Sequence, residues 1–153
     1  MKKLFVLLFT LLVVASSFAN SPRSIDEKLL RTFTTSFPHA ERVSWQELSN
    51  TYVVSFIENG IRSRVVYQKD GQIVNVIRYY FEESLPVDVR MAAKRSFPAN
   101  SIKGVVEVSA MAESGDHLDT AYYLKMESEH NWMTVKIDSE GNSSVEEKFK
   151  KAM

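Results

Sequence analysis

Apolar residues recur along this chain with two different periods. Ile25, Leu29, Leu30, Phe33 and Phe37 fall on one face of a 3.6-residue repeat, which predicts a helix. Ser24-Ile25-Asp26-Glu27 ahead of it fits a capping box, in which the serine hydroxyl accepts from the third helical N–H and Glu27 reaches back to the Ser24 N–H. Pro38 disfavours helical geometry at Phe37, so the helix stops there. A period of two then takes over. Strands are predicted at 42–48 (around Val43 and Trp45), 52–58, 61–68 and 72–81. Asn59-Gly60 is a two-residue hairpin signal, because both positions need positive φ, and Asp70-Gly71 is a second turn.

The pattern returns 60 residues on. Ser36-Phe37-Pro38 is repeated as Ser96-Phe97-Pro98, again closing a helical stripe (Val89, Ala92, Ala93, Ser96, Phe97). Pro86 sits where an early helical proline is tolerated. Strands are predicted at 103–111, 120–127, 132–137 and 142–149, with breaks at Gly115 and Gly141. Helix, four strands, helix, four strands predicts an α+β fold. Its expected form is a tandem repeat (24–81 and 84–150) of a helix on a four-stranded antiparallel sheet, with the helices on one sheet face.

Hairpin register divides the strand residues between two faces. A turn at Asn59-Gly60 opposes Phe56 to Ser63, Val54 to Val65 and Tyr52 to Tyr67, and opposed residues share a face. With a turn at Ser49-Asn50, the set Val43, Trp45, Tyr52, Val54, Phe56, Ile61, Val65 and Tyr67 becomes the helix-facing core. Arg42, Ser44, Gln46, Val53, Ser55, Ile57, Arg62, Arg64 and Val66 take the other face. In the second half a turn at 128–131 puts Tyr122, Leu124, Met126, Met133, Val135 and Ile137 inward. It leaves Ala121, Tyr123, Lys125, Trp132, Thr134 and Lys136 on the open side. The register of the strand at 72–81 stays open, since its loop has either two or three residues.

The amino-terminal residues fit neither period. Lys2 and Lys3 precede the apolar run 4–15, and Ser17 and Ala19 supply a small-x-small site, the form of a cleaved secretory signal peptide over 1–19. The run has 12 residues, too few for the roughly 20 of a bilayer span. A buried helix or an uncleaved anchor is the alternative. The expected destination is the periplasm or the outside of the cell, without stable membrane insertion.

Composition narrows the chemistry. The 153 residues carry 19 basic and 19 acidic groups, and loss of 1–19 would leave 17 against 19, so the cationic surplus of a nucleic-acid binder is missing. Cysteine is absent, which removes thiol nucleophiles, thiolate metal sites and disulfides. His39, His117 and His130 form no metal-ligand spacing. The loop Ser114-Gly115-Asp116-His117-Leu118-Asp119 gathers oxygen ligands and an imidazole, but matches no standard cation loop and reads more simply as solvated. Glu82 and Glu83, as strand neighbours, would point to opposite faces and make a poor acid–base pair. No Gly-rich phosphate loop or G-x-S-x-G elbow occurs. The expectation is therefore a non-enzymatic chain with no cofactor and no metal.

The residues Phe37-Pro38-His39-Ala40-Glu41-Arg42-Val43-Ser44-Trp45, Tyr52-Val53-Val54-Ser55-Phe56, Asn59-Gly60 and Tyr67-Gln68-Lys69-Asp70-Gly71 carry a resemblance. They are similar to the PepSY-like, β-lactamase-inhibitor-like family of exported bacterial proteins of the Bacteroidota type. The second half keeps Leu85-Pro86 and Ser96-Phe97-Pro98 but has no tryptophan after them, only Ile102 and Val106. The resemblance implies tandem helix-on-sheet units and a non-catalytic role, with a partner gripped on the sheet face away from the helices. It transfers no inhibitory residue.

The leading expectation is an exported binding or inhibitory module for an unknown envelope or extracellular protein. Its candidate partner-binding residues are Arg62, Arg64, Tyr123, Lys125, Trp132 and Lys136, because arginine and large aromatics concentrate in interface hot spots. Packing of that face within the chain, or against a second copy in a homo-oligomer, is the plainer alternative. A small-ligand or metal-ion-binding envelope protein, using the His117 loop or a cleft between the halves, comes next, and an envelope enzyme last.

Overall fold

Helix α1 (Glu27–Ser36) begins behind Asp26, whose side chain accepts a hydrogen bond from the Lys28 N–H at 2.7 Å. The computed structural model describes residues 25–151, so the predicted signal segment and Ser24 lie outside the described residues. The cap is thus Asp26 and not the capping box expected from Ser24. One aspartate oxygen already serves a first-turn donor. At the other end Phe37 leaves the helix at φ −132°, ψ 67°, its N–H still bonded to the Phe33 carbonyl at 2.8 Å.

Four strands follow, β1 (Glu41–Glu47), β2 (Thr51–Glu58), β3 (Ile61–Gln68) and β4 (Ile73–Tyr80). A 3-10 turn at Glu82–Ser84 leads into α2 (Val87–Ser96), then β5 (Ser101–Met111), β6 (Leu118–Glu127), β7 (Asn131–Asp138) and β8 (Ser143–Lys150). All eight strands pair in sequence order into one antiparallel sheet. This corrects the expectation of two four-stranded sheets. β4 and β5 pair from Asn75 opposite Ala110 to Tyr80 opposite Val105. Joining there removes two open edges, each a row of unpaired backbone donors and acceptors.

Both helices lie on one sheet face, each over its own core. Under α1, Leu29, Phe33 and Phe37 pack on Tyr52, Val54, Phe56, Val65, Tyr67 and Val76, with Trp45 partly buried beside them. Under α2, Val89 and Ala93 with Leu85 pack on Tyr80, Val105, Leu124, Met126, Met133, Val135 and Ile137. Phe33 centres the first core, its ring 5.4 Å from Phe37, 5.3 Å from Trp45 and 5.1 Å from Phe56. Between the cores the same face carries a polar cluster. Glu107 accepts from Arg78 Nη1 at 3.1 Å and from the Tyr80 hydroxyl at 2.6 Å.

The β2–β3 hairpin has the predicted turn and pairs, with Asn59 at φ 51° and Gly60 at φ 79°. Irregularities change the rest. β1 bulges between Glu41 and Ser44, with Arg42 at φ 53°, and this leaves Val43 41% exposed instead of in the core. Ile61 packs against the second core and not the first. The Pro86 residue precedes α2 as its cap position instead of entering its first turn.

Candidate functional site

The face away from the helices is built of rows that cross the sheet, because opposed residues share a side. One row runs Ile57, Arg62, Tyr79, Val106, Tyr123, Lys136 from β2 to β7. Its neighbour runs Ser55, Arg64, Ile77, Val108, Ala121, Asp138. On the other side Gly104 pairs with Lys125 and Lys125 with Thr134, and beyond that Glu127 pairs with Trp132 and Trp132 with Phe149.

All six predicted residues therefore lie on this face, in two groups. Tyr123, Lys125, Trp132 and Lys136 are neighbours on β6 and β7. Arg62 and Arg64 stand on β3. Two strands, β4 and β5, separate the groups, and three spacings of about 4.8 Å put Arg62 roughly 14 Å from Tyr123. Sequence reasoning missed what bridges them: Tyr79 and Val106 in the row, Phe81 just past β4, and Gly104. The signal for Tyr79 and Phe81 was hidden by the undetermined β4 register.

A hollow of about 420 Å³ occupies the bridge. Its lining includes Arg62, Tyr79, Phe81, Gly104, Tyr123 and Lys125, and holds no carboxylate. Glycine makes the floor. A bulge between Ile102 and Gly104 brings Gly104 opposite Lys125, and a Cβ added there would meet nothing within 4 Å. Phe81 is 69% exposed at the rim. A second hollow of about 360 Å³, lined by Ser55, Arg62, Ser63, Arg64 and Tyr79, shares the Arg62–Tyr79 pair with the first. The Arg62 guanidinium lies 5.4 Å from the Tyr79 ring centroid.

Charge on this face is lopsided. Among the described residues Arg62, Arg64, Lys125 and Lys136 have no carboxylate within 4.0 Å, whereas Lys103 and Lys151 are both committed to Glu127, at 3.0 and 2.5 Å. Those two lysines, Lys151 first, hold the Glu127 carboxyl below its usual range. Trp132 is half-buried, flanked by the ammonium groups of Lys151 at 5.4 Å and Lys125 at 5.8 Å from its ring centroid. It lies on the sheet side that carries no helix, outside the hollow.

The other candidates are simpler. Asp116 and His117 on the exposed β5–β6 turn meet Asp119 at the start of β6, His117 Nδ1 2.6 Å from Asp116 and Nε2 3.1 Å from Asp119. Among the described residues no three His, Asp or Glu side chains converge as metal ligands. Glu82 and Glu83 belong to the 3-10 turn and not to a strand, and Glu82 pairs with Lys94 at 2.5 Å. No described helix is long and apolar enough to cross a membrane.

The sequence matches no family model, and no curated protein matches it. Solved structures share its fold. A BLIP-like protein of Bacteroides fragilis superposes with a TM-score of 0.60 at 14% identity, over 83% of this chain and 86% of that one. A protein of Bacteroides eggerthii provisionally described as periplasmic gives 0.58 at 15%, over 83% and 89%. A DUF2874 family protein of Bacteroides uniformis gives 0.58 at 13%, over 83% and 90%. At these identities the likeness concerns the fold.

Proposed function

We propose that this chain is a non-catalytic binding or inhibitory protein that engages an envelope or extracellular protein with the helix-free face of its sheet. One observation carries the reading: four cationic side chains without ion-pair partners among the described residues, Arg62, Arg64, Lys125 and Lys136, interleave there with Tyr79, Tyr123 and Trp132. Arginine, tyrosine and tryptophan are the residue types that dominate interface energetics, and the unpaired lysines add positive charge beside them. They also steer an acidic partner. The designation BLIP-like on one fold neighbour agrees with a gripping role, as does the motif resemblance to the PepSY-like, β-lactamase-inhibitor-like family.

Export through the 1–19 segment is part of the proposal, supported by that segment's pattern and by the provisional periplasmic description of a fold neighbour. So is descent from two copies. The two Ser-Phe-Pro tripeptides close α1 and α2 with nearly the same geometry, φ −132°, ψ 67° at Phe37 and φ −133°, ψ 60° at Phe97.

The test is affinity capture from envelope extracts with immobilised chain 20–153. A partner should be held by the parent and by the helix-side control Arg95→Glu, and lost with Arg64→Glu/Lys136→Glu. The double variant Tyr123→Ala/Trp132→Ala should lose it too while melting like the parent. Capture that ignores the sheet-face changes, or no captured protein, would refute the reading.

A further inference from the structure

Resting on the reading of the sheet face as a docking surface, we infer that the hollow over Gly104 takes one apolar side chain of an acidic, extended peptide segment. Carboxylates on either side of that side chain meet Arg62 and Lys125. The floor is bare because the β5 bulge presents a glycine where its neighbours present side chains. The walls are aromatic, Tyr79 and Phe81 on one side and Tyr123 on the other, and suit an apolar or aromatic insert. The cations stand at opposite margins, Arg62 on β3 and Lys125 on β6, with no lining carboxylate to neutralise them. Charge complementarity therefore selects an anionic occupant.

Shape selects a segment over a small solute. The depression beside Arg64 adjoins the hollow across the shared Arg62–Tyr79 pair, so the cationic surface extends beyond one side chain. An enclosed site would bury most of a small ligand. This one lies along an open sheet and leaves room for the backbone of a chain to pass over it.

The probe is a capped nonapeptide of alternating glutamate and serine with a central phenylalanine, titrated into chain 20–153 at low salt by calorimetry. Binding is expected, weakened about tenfold or more by Arg62→Ala/Lys125→Ala and by added salt. Gly104→Leu should fill the floor and weaken binding similarly while the circular dichroism melt is retained, since Gly104 is not among the positive-φ residues. If the leucine variant fails to fold, a central-alanine peptide reads the same contact on the parent protein and should bind about tenfold more weakly. No binding to the parent, equal binding of the alanine peptide, or equal binding of phenylacetate alone would each overturn the inference, the last assigning the hollow to a small carboxylate. The Arg64→Glu/Lys136→Glu capture avoids the Gly104 hollow lining, so that result separates failure of this inference from failure of the docking face as a whole.

Discussion

Arg62 and Tyr79 stand directly opposite each other on β3 and β4, with the guanidinium over the ring at 5.4 Å. An extra residue on β4 makes this pair. Tyr67 faces Ile73 but Val66 faces Asn75, so Val74 is the inserted residue. Without it the same turn would set Arg62 against Arg78, two like charges across one ladder.

Arg62→Ala should reduce stability by less than about 1 kcal/mol, because an exposed cation–π pair contributes roughly 0.5–1 kcal/mol. Urea unfolding checks this. A larger loss would mean that Arg62 serves the fold and not recognition.

Phe33→Ala should cost about 3–5 kcal/mol, the range for emptying an aromatic core position. Three aromatic neighbours lose their central ring at once. Leu30→Ala on the same helix, at a position 37% exposed, should stay below about 1 kcal/mol. Chemical denaturation of the two variants makes the comparison.

Tyr67 is fully buried, and its hydroxyl has no hydrogen-bond partner among the described residues. Tyr67→Phe should therefore raise stability by about 1 kcal/mol, the low end of the penalty for a stranded polar group. Burial also pushes the Tyr67 phenol up to about 12. The folded state then holds this proton more tightly than the unfolded chain, whose phenol titrates near 10. That contribution is complete below about pH 10 and fades as pH rises through about 12. Denaturation measured from neutral pH to pH 12 should fall less steeply for Tyr67→Phe than for the parent.

Glu107→Ala should cost about 2 kcal/mol, the scale of hydrogen bonds to a charged group. Its side chain is only 12% exposed and joins Arg78 to Tyr80 between the two cores. Tyr80→Phe keeps the ion pair and should cost about half as much. Thermal melts of both variants separate the two bonds.

Much of this architecture was legible because its local signals agree. Asn59-Gly60 demands positive φ twice, which set the register, and the apolar alternation then sorted Tyr52, Val54 and Phe56 inward and Arg62 and Arg64 outward. The illegible parts share a cause. A bulge adds one residue and reverses the alternation beyond it, but in short strands with apolar residues on both faces, as around Val43 and Val74, that reversal does not stand out, and with it went the outward placement of Val43 and the position of Tyr79. The continuous sheet was missed because β4–β5 pairing joins segments separated by a whole helix, and no turn residue announces such a contact. Gly104 carries no sequence signal of its own inside the predicted strand 103–111, because only its neighbours across three strands make it the floor of a hollow.

The strictly sequential strand order also bears on how the chain acquires its shape. Each new strand adds beside the one just made, and only α2 and its flanking turn interrupt the progression. Loop closures stay short, which favours fast assembly. A chain delivered amino end first can add strand after strand, with Leu118 of β6 arriving later to pack on the first core.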